Sequence, residues 1–404
     1  MNTPSTPLPV ANVAPPGSAP HATWRGRIAG AVLSLALAGC GSLPTWLGGS
    51  DVKFAPLPPI DGGAAVTTLW QASLGGRQTS LLTPAVIGSR VVAAHPDGTI
   101  VTVDAASGAT IARFSAGSER GPLSGGVGAD EALIVVTTIR GWALAFAADG
   151  RRLWEARVPS EAAAPPVIVD RVVVVTTVDG HLVGLDAANG ERKWLLQRQL
   201  PPLTLRTASI PATARGAILW GSPLGRLIAL DAQTGSVGWE VTVGNARGTS
   251  ELERLIDVVG RPSVDAQRTC AAAYQGRVAC FDLVRGSLQW SRDISTLVGT
   301  VMDDRHVYTV DEKGFAYALD RSTGATVWRR DALAGRRASG IALIGDRVAI
   351  HDLQGNLHFL NRSDGRIVAR ALGEGFESTA PLAATGNAVV AQTRGGQLVA
   401  VTLR

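Results

Sequence analysis

The stretch GRLIALDAQTGSVGW, residues 225–239, contains the pattern that decides the fold. A glycine is followed by an aspartate after six residues, by a second glycine after four more and by a tryptophan after a further four. The pattern recurs with the same spacing in GHLVGLDAANGERKW (180–194), GRVACFDLVRGSLQW (276–290) and GFAYALDRSTGATVW (314–328). A fixed period of this kind indicates a repeat architecture in which each copy is one supersecondary unit.

Weaker copies extend the repeat over most of the 404 residues. They begin at Gly98, Gly141 and Gly355, and an eighth copy begins at Gly396 and stops at Arg404. The leading glycines lie 38 to 51 residues apart, which is the range of β-propeller blades. The sequence therefore predicts eight blades.

Each repeat contains four strand-like runs separated by turns. In residues 163–194 the turns include Asp179-Gly180 and Asn189-Gly190, which are typical of hairpins between alternating β-branched and apolar runs. The aspartate can bond the backbone of its own turn, and the tryptophan can fill the wedge between blades. We interpret the recurring aspartate as a folding residue, since a site repeated in every blade is rarely catalytic.

The eighth repeat lacks a fourth strand, and a strand-like run at the other end of the chain can replace it. VTTLWQASLG (66–75) contains Trp70 and precedes the first full repeat. Pairing it with the last repeat would remove two open sheet edges. We predict an all-β fold over residues 63–404: an eight-bladed β-propeller of four-stranded antiparallel blades, closed by its N-terminal strand.

The N-terminus is predicted to be a targeting segment. Arg25 and Arg27 precede the apolar run IAGAVLSLALAG (28–39), which is too short to span a bilayer and suits a signal peptide. LAGC (37–40) resembles the bacterial lipobox, which implies cleavage before Cys40 and lipidation of its thiol. An ordinary secretory signal is the alternative.

The lipobox divides the chain into three parts. We expect a lipoprotein signal peptide at 1–39, a lipidated Cys40 with a flexible, Pro- and Gly-rich tether at 40–62, and the propeller at 63–404. Gly41 follows the cysteine, and resemblance to enterobacterial lipoproteins implies that the absence of an aspartate there favours the outer membrane over the inner one. The predicted location is therefore the outer membrane, lipid-anchored and facing the periplasm.

Composition and motifs argue against several functional classes. The net charge is +5 with no basic cluster, so no nucleic-acid partner is expected. No catalytic motif, metal site or cofactor site is predicted, because histidines are scattered and no Cys-Cys pair is present. Cys270 and Cys280 are equidistant from residue 275 in one hairpin, and either a disulfide or two buried thiols fits that placement.

Two connections between blades are longer than the others. From the outer-strand tryptophan position to the start of the next blade, most gaps are 8 to 14 residues, but Trp194 to Pro211 is 17 and Trp239 to Pro262 is 23. Both flank one blade, and outer-to-inner connections all emerge on the same face of a propeller. We therefore predict one raised patch, since function concentrates in long loops on rigid scaffolds.

The two long loops have different compositions. The first contains alternating Leu203 and Leu205, which would point the same way in an extended segment, followed by Arg206. In the second, Ser250 and Glu253 fit a capping box, so a short helix ending before Asp257 is predicted.

The repeat resembles the PQQ-type propeller repeat, which is found in quinoprotein dehydrogenases and in the BamB family of outer-membrane assembly lipoproteins. The loops are similar to BamB: LTLR (203–206), SIP (209–211), GTSELERL (248–255) and DV (257–258) match its motifs. The resemblance covers the mature chain. It implies a non-enzymatic scaffold of the BAM complex that binds the POTRA domains of BamA and assists folding and insertion of β-barrel proteins.

The resemblance also implies the site residues and partners. Leu203, Leu205, Arg206 and Asp257 would contact BamA, and other BAM subunits and unfolded outer-membrane proteins would be further partners. Val259 departs from the family, which usually has a second aspartate there. The alternatives are that these loop residues pack internally, with Arg206 on Asp257, or that the chain is a quinoprotein-like small-ligand propeller or a polysaccharide-binding lipoprotein.

Overall fold

The computed structural model describes residues 54–60, 63–78, 80, 82–205, 209–331, 333–372 and 382–404. These residues form an all-β structure with eight four-stranded antiparallel sheets. None of them belongs to a helix of the length and hydrophobicity that crossing a membrane requires. In chain order the strands β1 to β32 are Val66–Ser73, Ala85–Ile87, Arg90–Ala94, Thr99–Asp104, Thr110–Ser115, Leu123–Ala129, Leu133–Thr138, Trp142–Ala147, Arg152–Arg157, Val167–Val169, Val172–Thr176, His181–Asp186, Arg192–Gln197, Ala212–Ala214, Ala217–Ser222, Arg226–Asp231, Val237–Thr242, Val258–Val264, Arg268–Ala273, Val278–Asp282, Leu288–Arg292, Val301–Met302, His306–Val310, Ala316–Asp320, Thr326–Arg330, Ala338–Ile344, Arg347–Asp352, Leu357–Asn361, Ile367–Ala371, Ala383–Thr385, Ala388–Gln392 and Gln397–Leu403.

The sheets are the eight blades of a β-propeller. Strands β2 to β5 form the first blade, and each following set of four strands forms the next, up to β26 to β29 in the seventh. The eighth blade has the order β1-β32-β31-β30, with register from Val66 opposite Leu403 to Ser73 opposite Gln397. The predicted eight-bladed fold and its closure by the N-terminal strand are confirmed.

The repeated residues join each blade to the next. The Trp70 indole N–H donates a 2.9 Å hydrogen bond to the Ala105 carbonyl, and a Cβ added to Gly108 would lie 2.5 Å from the Trp70 ring. Asp104 accepts a 2.8 Å bond from the Ser107 N–H within the same turn. Aspartate, glycine and tryptophan are therefore packing and turn residues, as the repeat predicts. The indole bond recurs from Trp154 to Ala187, Trp194 to Ala232, Trp239 to Leu283, Trp290 to Arg321 and Trp328 to Arg362.

Cys270 and Cys280 form a disulfide, which decides between the two alternatives that the sequence left open. They lie directly opposite each other on β19 and β20, with their Cα atoms 4.0 Å apart. Both side chains are fully buried, in a cluster that includes Trp290. This pair is therefore part of the core of the fifth blade.

Residues 54–60 lie against the seventh blade. The Ala55 carbonyl accepts a hydrogen bond from the Arg336 guanidinium, and the Pro58 carbonyl accepts one of 3.0 Å from Arg370. The last part of the segment expected to be tether is thus held by two arginines of the propeller.

Those arginines belong to a buried charged cluster. Arg336 donates a 2.7 Å bond to Asp352, and the fully buried His358 ring lies 3.0 Å from the same carboxylate oxygen. Burial would raise the pKa of Asp352, but hydrogen bonds from His358 and Arg336 hold it below its usual range. The Arg370 Nε–H donates to His358 Nδ1 at 3.1 Å, so the neutral ring carries its proton on Nε2. Burial lowers the pKa of His358, which agrees with the neutral form.

Candidate functional site

The two long connections lie together at one end of the ring. The first runs from β13 to β14 and the second from β17 to β18, so they flank the fourth blade. The Leu205 N–H donates a 2.6 Å hydrogen bond to Asp257 Oδ2, and the Gly260 carbonyl accepts bonds of 2.9 Å from Ser209 Oγ and 3.1 Å from the Ile210 N–H. The loops form one surface, as the connection lengths predict.

The leucines of the first loop differ in exposure. Leu203 is 46% exposed, whereas Leu205, whose N–H is bonded to Asp257, is half-buried. The two side chains therefore differ in their surroundings, whereas simple alternation predicts that they point the same way. Two of the other predicted site residues, Arg206 and Cys40, lie outside the described residues.

The second loop contains one helical turn, so the predicted short helix is wrong. The capping interactions are present: the Ser250 N–H donates to Glu253 Oε2 at 3.1 Å, and the Glu253 N–H donates to Ser250 Oγ at 3.2 Å. Two backbone bonds follow, of 3.0 Å from the Arg254 N–H to the Ser250 carbonyl and of 3.3 Å from the Leu255 N–H to the Leu252 carbonyl. The turn does not continue into a helix because Ile256 packs into the core, whereas Leu252 is 65% exposed. The two side chains therefore do not lie on one apolar helix face.

Asp257 is a buried carboxylate at the base of this surface. Its side chain is only 4% exposed, and burial raises its pKa, against the opposing effect of the Leu205 and Leu224 N–H groups. No cationic side chain among the described residues forms an ion pair with it. The carboxylate therefore organises the loops through backbone donors.

Because residue 259 is a valine, Asp257 is the single carboxylate next to the start of β18. Its side chain is 1% exposed, and it pairs with Ala272 across the sheet. A valine suits such a buried strand position, so the departure from the family motif is compatible with the fold.

Leu224 is a further residue of this surface that the sequence analysis missed. It lies in the hairpin turn of the fourth blade, beside the bridge between Pro223 and Asp257, and is 46% exposed. Its φ of 63° is in the left-handed region, which costs a non-glycine residue about 1–2 kcal/mol. The sequence does indicate that Leu224 is unusual, because the residue before the turn glycine is an aspartate in two other repeats, Asp97 and Asp179.

These residues define what we term the loop patch: Leu203, Leu205, Leu224 and Asp257. Exposed apolar side chains over a hydrogen-bonded base are suited to binding another protein. The described residues contain no group of three or more His, Cys, Asp or Glu side chains that would hold a metal ion.

Comparisons with known proteins agree with this architecture. A family model described as outer membrane protein assembly factor BamB matches residues 67–330 and 312–404. A Bordetella pertussis protein named outer membrane protein assembly factor BamB is 39% identical over 387 residues, which are 95% of this chain and 98% of that protein. The crystal structure of BamB from Moraxella catarrhalis is similar with a TM-score of 0.75 at 27% identity, over 84% of this chain and 100% of that one.

An enzyme shares the propeller at much lower identity. Quinohemoprotein alcohol dehydrogenase from Comamonas testosteroni has a TM-score of 0.64 at 12% identity, over 84% of this chain and 76% of that one. Similarity at this level shows the fold alone, since one fold hosts unrelated functions.

Proposed function

Since the chain belongs to the family of outer membrane protein assembly factor BamB, we propose that it acts as a scaffold that binds the POTRA domains of BamA. The family consists of assembly factors and not of enzymes, and its name associates the chain with the outer membrane and its protein assembly complex. The finer steps are our proposal: binding to BamA supports the folding and insertion of β-barrel proteins.

The proposed contact surface is the loop patch together with Arg206. The observation that carries it is the hydrogen bond from the Leu205 N–H to the buried Asp257, which holds the first loop in place while Leu203 stays exposed. A partner that covers Leu203 and Leu224 removes apolar area from water without first ordering the loop. Pre-organisation of this kind favours tight binding.

Arg206 is proposed to supply the orienting polar contact. One oxygen of Asp257 already accepts the Leu205 N–H, and burial disfavours the charge on this carboxylate. We propose that the guanidinium bonds to carboxylate or carbonyl groups of the partner, for which its planar fork is suited. Asp257 then acts by positioning the loop that presents Arg206.

The membrane attachment is proposed to run through Cys40. A lipidated cysteine there would leave residues 41–53 between the lipid and the segment that Arg336 and Arg370 hold on the seventh blade. The propeller would then face the periplasm, beside BamA, the other BAM subunits and unfolded outer-membrane proteins.

Co-purification tests this function. The tagged full-length chain is purified from detergent-solubilised outer membranes, and BamA is measured in the eluate. We expect BamA with the wild type and much less with Leu203→Ala plus Arg206→Ala. The matched control is Val284→Ala plus Arg285→Ala, two exposed residues in a hairpin turn at the opposite end of the fifth blade. Absence of BamA from the wild-type eluate would contradict the proposed partner.

A further inference from the structure

The innermost strands of all eight blades surround a central channel. The cavity has a volume of ≈ 1280 Å³, and the loop patch contributes to its rim through Leu205 and Asp257. Most of the described lining residues are apolar or carry neutral hydroxyl groups. The charged ones are Glu161, Asp257 and Arg261. Among the described lining residues, Arg261 is therefore the one cation, beside two carboxylates.

An irregular β-bulge in strand β18 places Arg261 at the channel. Residues 260–262 stand opposite the single residue Ala271 of β19, and such bulges re-aim side chains. Gly260 has a φ of 67°, and a Cβ there would lie 2.6 Å from a neighbouring backbone oxygen, so only glycine suits the position. Its carbonyl accepts the 2.9 Å bond from Ser209 Oγ, which joins the bulge to the loop that leads into the preceding, fourth blade.

The Arg261 guanidinium has no partner among the described residues. It forms no hydrogen bond or ion pair with them, and neither Glu161 nor Asp257 pairs with it. Arg261 is an exposed residue of the channel wall, and desolvation by the surrounding protein lowers the pKa of its guanidinium. A guanidinium that solvent reaches and that no described residue bonds keeps its N–H donors available to an anion.

We propose that the central channel is a binding site for a small oxyanion, a carboxylate or phosphate group, held by Arg261. The guanidinium presents parallel N–H donors that match either group. The cavity volume exceeds what one such group needs, so the ligand is expected to be a small molecule that carries it. The site requires no partner protein, and it stands or falls independently of binding to BamA.

Calorimetric titration of the purified full-length protein tests the site. Inorganic phosphate and succinate are the two probes, each used in chloride-free buffer at constant ionic strength. Binding of phosphate alone identifies a phosphate site, and binding of succinate alone identifies a carboxylate site. Arg261→Gln is expected to weaken binding at least about tenfold, as loss of a hydrogen bond to a charged group predicts. Arg305→Gln, whose side chain is 80% exposed, is the control and should bind as the wild type does.

Thermal unfolding supplies a second readout. Without added anion, Arg261→Gln should leave the Tm near that of the wild type because the side chain is exposed, and the bound probe should raise the Tm of the wild type only. If the glutamine variant does not fold, Arg261→Lys replaces it and should bind several-fold more weakly, since it keeps the charge but loses the fork. No binding by the wild type, or unchanged affinity in the Arg261 variant, overturns the proposal.

Discussion

The backbone N–H of Leu205 donates a 2.6 Å hydrogen bond to the buried carboxylate of Asp257, 52 residues further along the chain. The bond joins the two long loops that flank the fourth blade. Because the carboxylate is only 4% exposed, water competes poorly for it. The exposed Leu203, two residues before Leu205, is therefore presented on a loop that is already in place.

The charge of Asp257 is expected to reduce the stability of the free protein at neutral pH. Burial raises its folded-state pKa above 3.8, so the cost is present at neutral pH and disappears as the pH falls through the folded pKa toward 3.8. Asp257→Asn, which carries no charge, should match or exceed the wild-type Tm at pH 7, and the difference should shrink near pH 4. Thermal unfolding at both pH values checks this. If Asp257→Asn instead lowers the Tm relative to the wild type, and does so more at pH 7 than at pH 4, the carboxylate charge is stabilising and the prediction is wrong.

Leu224 is expected to serve binding at the expense of stability. Leu224→Gly removes the unfavourable left-handed leucine, so the free protein should keep or raise its Tm. The same change removes an exposed apolar contact and should reduce the BamA recovered by co-purification. A lower Tm with unchanged recovery would show that Leu224 has a local packing role instead.

Ring closure should depend on the contact between Trp70 and Gly108. Trp70→Ala should cost about 3–5 kcal/mol of unfolding free energy, because a buried indole is lost from the junction between the last and first blades. Gly108→Ala should also be destabilising, since its Cβ would lie 2.5 Å from the ring. Gly386→Ala, which has nothing within 4 Å, is the control. Urea denaturation measures all three, and equal midpoints for the two glycine variants would contradict the packing account.

The blades and their closure were predictable because their determinants are local. Asp104 bonds its own turn, and Trp70 contacts a glycine at a fixed place in the next repeat, so spacing alone reveals both. The proximity of the long loops was predictable too, since strand direction places all such connections at one end. Arg206 and Asp257 as binding residues rest on motif resemblance and remain a prediction.

Other features depend on tertiary packing that spacing does not reveal. Burial of Ile256 against the fifth blade ends the predicted helix after one turn. The bulge that directs Arg261 into the channel is decided by pairing with β19. The Pro-rich composition of residues 54–60 predicts a flexible tether. The hydrogen bonds from Arg336 and Arg370 that hold this segment depend on contacts between residues far apart in the chain.

The buried cluster of the seventh blade should make the protein sensitive to mild acid. The folded-state pKa of His358 lies below 6.5, so the unfolded chain takes up its proton first as the pH falls. The stabilising contribution is complete above pH 6.5 and decreases as the pH falls toward the folded pKa. His358→Gln should flatten the change in urea midpoint between pH 7.5 and pH 5.5. His181→Gln, at a partly exposed position, is the control, and an unaltered slope in His358→Gln would contradict the assignment.

The affinity of the purified chain for isolated POTRA domains of BamA tests the central claim most directly. Calorimetric titration compares the wild type, Leu203→Ala plus Arg206→Ala, and the control Val284→Ala plus Arg285→Ala. We predict that the loop variant, folded by its Tm, binds at least about thirtyfold more weakly, a loss of about 2 kcal/mol. The control should bind as the wild type does. Equal affinity for the wild type and the folded loop variant would show that this surface does not bind BamA.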